Sequence, residues 1–106
     1  MAATTRWIDA GAVSAWRDGE TRSIVAGRRM IAIVHTNGQF YAIEDICTHD
    51  GAELSGGAID GTEIICPRHG ARFCLRTGAA LSPPAYEPVK VFVTKIEANR
   101  LWILCA

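Results

Sequence analysis

The sequence lacks most of the features that would place it in a large functional class. Lys and Arg balance Asp and Glu at 11 each. No basic cluster interleaves with aromatic side chains, so a nucleic-acid partner is not expected. The longest apolar runs, residues 30–34 and 101–106, are far too short to span a bilayer. Residues 1–7 carry no signal-peptide pattern, and the expectation is a cytoplasmic protein without a membrane partner. No segment sustains a 3.6-residue apolar period, which excludes a helical bundle. No internal repeat, linker or low-complexity stretch is evident. Cysteine and histidine are scarce, at 4 and 3, so their placement carries information.

What is present is a chain of 106 residues, enough for one domain over 1–106. A chain of this size buries roughly 65% of its unfolded surface, a modest core. Short strands are separated by turn signals throughout. Residues 7–11 and 22–26 read as strands, with one helical turn over 12–16 and turns at Asp18-Gly19 and Gly27. Residues 30–35 are almost wholly apolar and β-branched, as in a strand covered on both faces. Asn37-Gly38 tolerates positive φ at both positions and predicts a two-residue hairpin into 39–43. A second hairpin is expected across Asp60-Gly61. A strand over 72–75 follows, stopped by Arg76-Thr77-Gly78. Ser82-Pro83-Pro84-Ala85 cannot join a ladder, because two successive residues lack the N–H. Residues 89–96 and 101–104 complete a last hairpin. The pattern predicts an all-β domain, an antiparallel sandwich or small barrel.

The chemistry is concentrated at Cys47-Thr48-His49 and Cys66-Pro67-Arg68-His69-Gly70, with sixteen residues between His49 and Cys66. Each segment supplies one thiolate and one imidazole, donors that suit zinc, iron–sulfur or copper. Two-Cys, two-His zinc fingers generally place both cysteines first. The interleaved order here instead pairs Cys47 with Cys66 on one iron and His49 with His69 on a second. One residue between Cys47 and His49 makes unstrained binding to a single ion difficult and reach to two adjacent irons easy. His35 reads as a structural strand histidine, Cys105 as a thiol without a role, and Trp7, Trp16 and Trp102 as packing residues.

The pattern Cys-x-His then Cys-x-x-His-Gly resembles the Rieske iron–sulfur proteins. Phe40-Tyr41-Ala42-Ile43, Arg72-Phe73, Arg76-Thr77-Gly78 and the 82–85 stretch extend the resemblance over most of the chain. It implies a Rieske-like antiparallel β-sandwich with a cluster-binding subdomain at about residues 45–85. It also implies one [2Fe-2S] cluster per chain, on Cys47, His49, Cys66 and His69, shielded by the proline loop. Two ferric ions, two sulfides and two thiolates sum to zero, and one-electron reduction makes the centre −1. Imidazole in place of two thiolates therefore raises the potential above that of an all-cysteine centre.

Relatives of high potential carry a loop disulfide, but Ala52 and Arg68 stand at the matching positions. They also place serine and tyrosine hydroxyls near the cluster, where this chain has Ala71 and Phe73. Fewer hydrogen bonds to cluster sulfur lower the potential, to roughly −150 mV at the low end of the Rieske range. These features resemble the soluble Rieske ferredoxins of bacterial ring-hydroxylating dioxygenases. The resemblance implies a monomeric, non-enzymatic carrier that takes electrons from an NAD(P)H-dependent flavoprotein ferredoxin reductase. It would pass them to a terminal ring-hydroxylating oxygenase acting on an aromatic substrate. The small subunit of an assimilatory NADH-dependent nitrite reductase shares this fold and is the alternative. A catalytic oxygenase subunit needs a further two-His, one-carboxylate iron site, and only His35 remains to supply it. Cys74, where many relatives carry Asp, alternates with Phe73 and Leu75 and is expected to face outward. Glu44, Asp45, Asp50 and Glu53 beside the first loop, and Arg68, Arg72 and Arg76 around the second, suggest a polarised tip that orients docking.

Overall fold

The computed structural model describes residues 6–26, 28–48, 51–68 and 70–105. Gly27, His49, Asp50 and His69, on which parts of the sequence reading fall, lie outside the described residues, as does the side chain of Cys105.

Among the described residues, ten strands form three antiparallel sheets. The middle layer is built from β2 (Thr21–Ala26), β3 (Arg29–Thr36), β4 (Gln39–Glu44) and β8 (Val91–Phe92), in that order. Its centre is the apolar run singled out in the sequence. Ile31 and Ile33 face one core cluster and Ala32 and Val34 the other. Alternation on a strand buried from both sides requires that division. The same holds on β4, where Phe40 and Ala42 join one cluster and Ile43 the other. Asn37 and Gly38 have φ of 52° and 73°, the two-residue hairpin expected from their chemistry.

On one side lies the sheet of β1 (Arg6–Ala12), β10 (Arg100–Cys105) and β9 (Thr94–Glu97), in that order. Trp16, just after the 3₁₀ turn Val13–Ala15, packs its indole edge-on against Phe40, with centroids 5.5 Å apart. β1 carries a register shift between Asp9 and Ala12, where Gly11 has φ of 100°. On the other side, β5 (Ile59–Asp60), β6 (Glu63–Ile65) and β7 (Arg72–Cys74) form a small sheet that carries the second cysteine loop at its end.

Two sequence expectations need correction. The strand expected over 89–96 is two strands. β8 pairs with β4 through Ala42–Phe92, and then the exposed Val93 carries the chain into the neighbouring sheet as β9. The second hairpin turns at Gly61-Thr62 rather than Asp60-Gly61, because Asp60 is itself paired with Glu63. No helix among the described residues is long and apolar enough to cross a membrane.

Candidate metal centre

Cys47 and Cys66 are almost fully buried, at 1% and 2% exposure, in one apolar cluster with Leu54, Ile64, Ala71 and Ala85. The structure therefore brings the two thiol-bearing loops to one wall. Their partners in the sequence reading, His49 and His69, lie outside the described residues.

The two loops are built alike. The Cys47 N–H donates to the Ala52 carbonyl at 2.7 Å, and the Gly51 N–H donates back to the Cys47 carbonyl at 2.8 Å. The Cys66 N–H donates to Ala71 at 2.7 Å, and the Gly70 N–H donates to Cys66 at 3.0 Å. Gly51 and Gly70 have φ of 78° and 75°, a left-handed conformation that glycine adopts at little cost. A third loop repeats the arrangement. Cys74 N–H donates to Ala79 at 2.9 Å, Gly78 N–H donates to Cys74 at 2.7 Å, and Gly78 has φ of 81°. The sequence thus does contain a repeat, Cys-x-x-x-Gly-Ala, at 47–52, 66–71 and 74–79. It is too short and unevenly spaced to be seen without the backbone geometry. Cys74 is half-buried rather than fully outward. The Thr77 hydroxyl is the main cause that holds its thiol below the usual range; burial, the next largest effect, opposes it, and the Thr77 and Arg76 N–H groups and the Arg76 charge add smaller lowering effects.

The proline loop and its flanks are tied to the chain beside both cysteine segments. The Ser82 hydroxyl accepts the Arg72 N–H at 3.0 Å, and the Leu81 N–H donates to the Arg72 carbonyl at 2.8 Å. From the other side, the Thr48 hydroxyl donates to the Glu87 carbonyl at 2.7 Å. Ala85 is buried in the cluster that contains Cys47 and Cys66. Gly57, and Gly78 in addition to its left-handed φ, leave no room for a side chain. A Cβ at Gly57 would overlap the Ile65 carbonyl, and one at Gly78 would overlap the Val89 carbonyl.

The acidic tip expected from the sequence is only partly a surface. Glu44 pairs with Arg29 at 3.1 Å, and Arg72 pairs with Asp60 and Glu63 at 3.0 and 3.3 Å. Asp45 is 1% exposed. Its position between Glu44 and the first cysteine loop reads as solvated in sequence, and only the fold shows that it turns inward. His35 is the structural residue expected. Its ring stacks on Phe40 with centroids 4.4 Å apart, and its Nδ1 lies 2.9 Å from the Arg17 carbonyl, which can only accept.

Buried sulfur donors in two matched loops, with apolar Ala71 and Phe73 beside them, fit the cysteine half of a two-iron centre. Residues 6–93 match the Rieske [2Fe-2S] domain model, and the chain belongs to that family. The group it carries is a Rieske-type [2Fe-2S] cluster. Within the family, the chain is similar to the ferredoxin component of the naphthalene 1,2-dioxygenase system of Pseudomonas aeruginosa. The two are 36% identical over 100 residues, 94% of this chain and 96% of that protein. A solved complex of reduced oxygenase and oxidized ferredoxin in carbazole 1,9a-dioxygenase contains a chain that superposes with a TM-score of 0.88. That chain is 36% identical, with 92% of this chain and 91% of that one covered. The putative NADH-dependent nitrite reductase small subunit of Mycobacterium tuberculosis has a TM-score of 0.87 over 98% of each chain. Its 18% identity shows a shared fold alone.

Proposed function

We propose that this chain is the one-electron carrier of a multicomponent aromatic-ring dioxygenase system, with no substrate chemistry of its own. The observation that carries the proposal is the near full-length match to a dioxygenase ferredoxin component, which spans 96% of that protein. The cluster accepts and releases one electron. This chain's part is to hold it near the surface, bury its sulfur side and keep its potential low.

Cys47 and Cys66 bind one iron and His49 and His69 the other, within a cluster-binding segment of about residues 45–85 in a single domain. The small sheet of β5, β6 and β7 and the three Cys-x-x-x-Gly-Ala loops fall inside that segment, which supports the assignment. An NAD(P)H-dependent flavoprotein reductase supplies the electrons, and a terminal oxygenase receives them. The carrier acts as a cytoplasmic monomer, and a potential of roughly −150 mV suits transfer between those partners.

Reconstitution with candidate flavoprotein reductases and ring-hydroxylating oxygenases tests the function, read as NADH-dependent oxygen uptake and product formation. Uptake that does not depend on added carrier refutes it. Nitrite consumption with a nitrite reductase large subunit, and no support of any oxygenase, would establish the rival reading. Replacing His49 or His69 by Cys should lower the potential or abolish the cluster; an unchanged visible spectrum and potential removes the ligand assignment.

A further inference from the structure

We infer that Asp45 is the positioning residue of the first ligand loop, holding Cys47 in place through a buried carboxylate clamp. The inference rests on the reading of Cys47 and His49 as cluster ligands. Asp45 is 1% exposed and sits two residues before Cys47. A carboxylate in the interior is costly unless its oxygens are satisfied. Here Oδ1 accepts the N–H groups of Leu54 and Ser55, each at 2.7 Å. Oδ2 accepts the Ser55 hydroxyl at 2.7 Å and the Ser23 hydroxyl at 2.8 Å.

Those four donors come from two places that the ligand loop must be tied to. Leu54 and Ser55 lie at the exit of the loop whose entrance is Asp45, so the carboxylate closes its neck. Inside that neck, the Cys47 N–H to Ala52 carbonyl bond is the next rung. Ser23 lies on β2, across β3 from the loop, so the same carboxylate anchors the loop to the middle sheet. The Asp45 N–H donates to the Met30 carbonyl at 2.8 Å, and the Gly56 N–H donates to the Thr21 hydroxyl at 3.2 Å, completing the frame. One side chain thereby sets where the cysteine loop stands relative to the sheet. Loss of that side chain leaves two backbone N–H groups without their acceptor and frees the neck to open.

The shape is reproducible without the charge. In Asp45→Asn the amide oxygen can accept both backbone N–H groups. Its NH₂ can donate to the two hydroxyls, which accept as readily as they donate. Asp45→Ala can do neither. The test compares holoprotein variants by the EPR g-values of the reduced cluster and by the rate of iron release to a chelator. Asp45→Ala is expected to shift or broaden the g-values and to speed iron release by about tenfold or more, with Asp45→Asn restoring both toward the parent. Asp45→Ala with parental g-values and iron release overturns the inference. Should Asp45→Ala fail to fold, the double variant Ser23→Ala, Ser55→Ala removes both hydroxyl donors and should move the two readouts in the same direction. No movement there also overturns it. A parent protein whose reduced EPR spectrum is not that of a Rieske centre would instead remove the ligand reading on which the inference stands.

Discussion

Gly57→Ala sets two effects of opposite sign against each other. Gly57 does not have a left-handed φ, so alanine is conformationally acceptable there. On backbone entropy alone the change should stabilise by about 0.4–1 kcal/mol, by restricting the unfolded chain. The added Cβ, however, would overlap the carbonyl oxygen of Ile65 and stand 3.0 Å from that of Leu54. Both obstacles are backbone, so neither can rotate away. Overpacking of this kind costs about 1–3 kcal/mol, and more where the backbone has to move. The difference of those two ranges runs from about 0 to about 2.6 kcal/mol against the substitution, and an overlap with a backbone oxygen places it toward the upper end. The direction of movement matters as much as the size. Ile65 immediately precedes Cys66, and Leu54 closes the loop that carries Cys47, so relief of the clash drives the two cysteine loops apart. Iron and sulfide content per chain should fall, and the temperature at which the visible absorption is lost should drop by several degrees. Gly19→Ala is the control. Gly19 has φ of 81° with nothing within 4 Å of an added Cβ, so it should lower stability while leaving cluster content unchanged. Parental cluster content and thermal midpoint in Gly57→Ala would falsify the steric reasoning.

Three further predictions follow from the structure. Ala71→Ser or Phe73→Tyr places a hydroxyl beside the buried cysteines and should raise the midpoint potential. By protein-film voltammetry the expected rise is about 60 mV, the equivalent of one tenfold step for one electron; an unchanged or lower value counts against the proposed cause of the low potential. Cys74 should alkylate with iodoacetamide at a lower pH than an ordinary thiol, and Thr77→Ala should move that midpoint up, since the Thr77 hydroxyl is the largest cause of the depression. Peptide mapping by mass spectrometry identifies the modified thiol. Finally, the Arg100 guanidinium, 2.7 Å away, and the Gly11 N–H hold Asp9 below the ordinary value of 3.8. A depressed carboxylate stabilises the fold above its unfolded pKa, and the effect is lost as pH falls through the folded value. Asp9→Asn should thus be less heat-stable than the parent at pH 7, with the gap closing below pH 3.8. A gap that is constant in thermal unfolding down to low pH removes this linkage.

What could be read from the sequence was what local chemistry determines. Asn37-Gly38 announces its turn because few other residue pairs accept both backbone angles. The run at 30–35 announces a strand buried on two faces because it has no polar side. The donor order in the two cysteine segments carries the cluster assignment. What escaped was decided by contacts between distant residues. Nothing at Val93 signals that one strand will leave its sheet and become two. Asp45 looks like one more acid beside Glu44 until Ser23, which is 22 residues earlier, is seen to reach it. The pairing of β1 with β10 joins chain ends with no local cue, and it buries Leu101 and Ile103.

The third copy of the Cys-x-x-x-Gly-Ala turn bears on the order of assembly. At 74–79 the fourth residue is Thr77, where the second loop has His69, yet the backbone closes with the same pair of hydrogen bonds and the same glycine conformation. A loop with no imidazole reaches this shape, so the shape is written in the glycine and the main chain. The two loops proposed to receive iron would therefore be sockets whose shape the main chain sets, and cluster insertion would have to fix how they face each other but not how each one is folded. Residues 74–79 amount to a blank socket within the same chain.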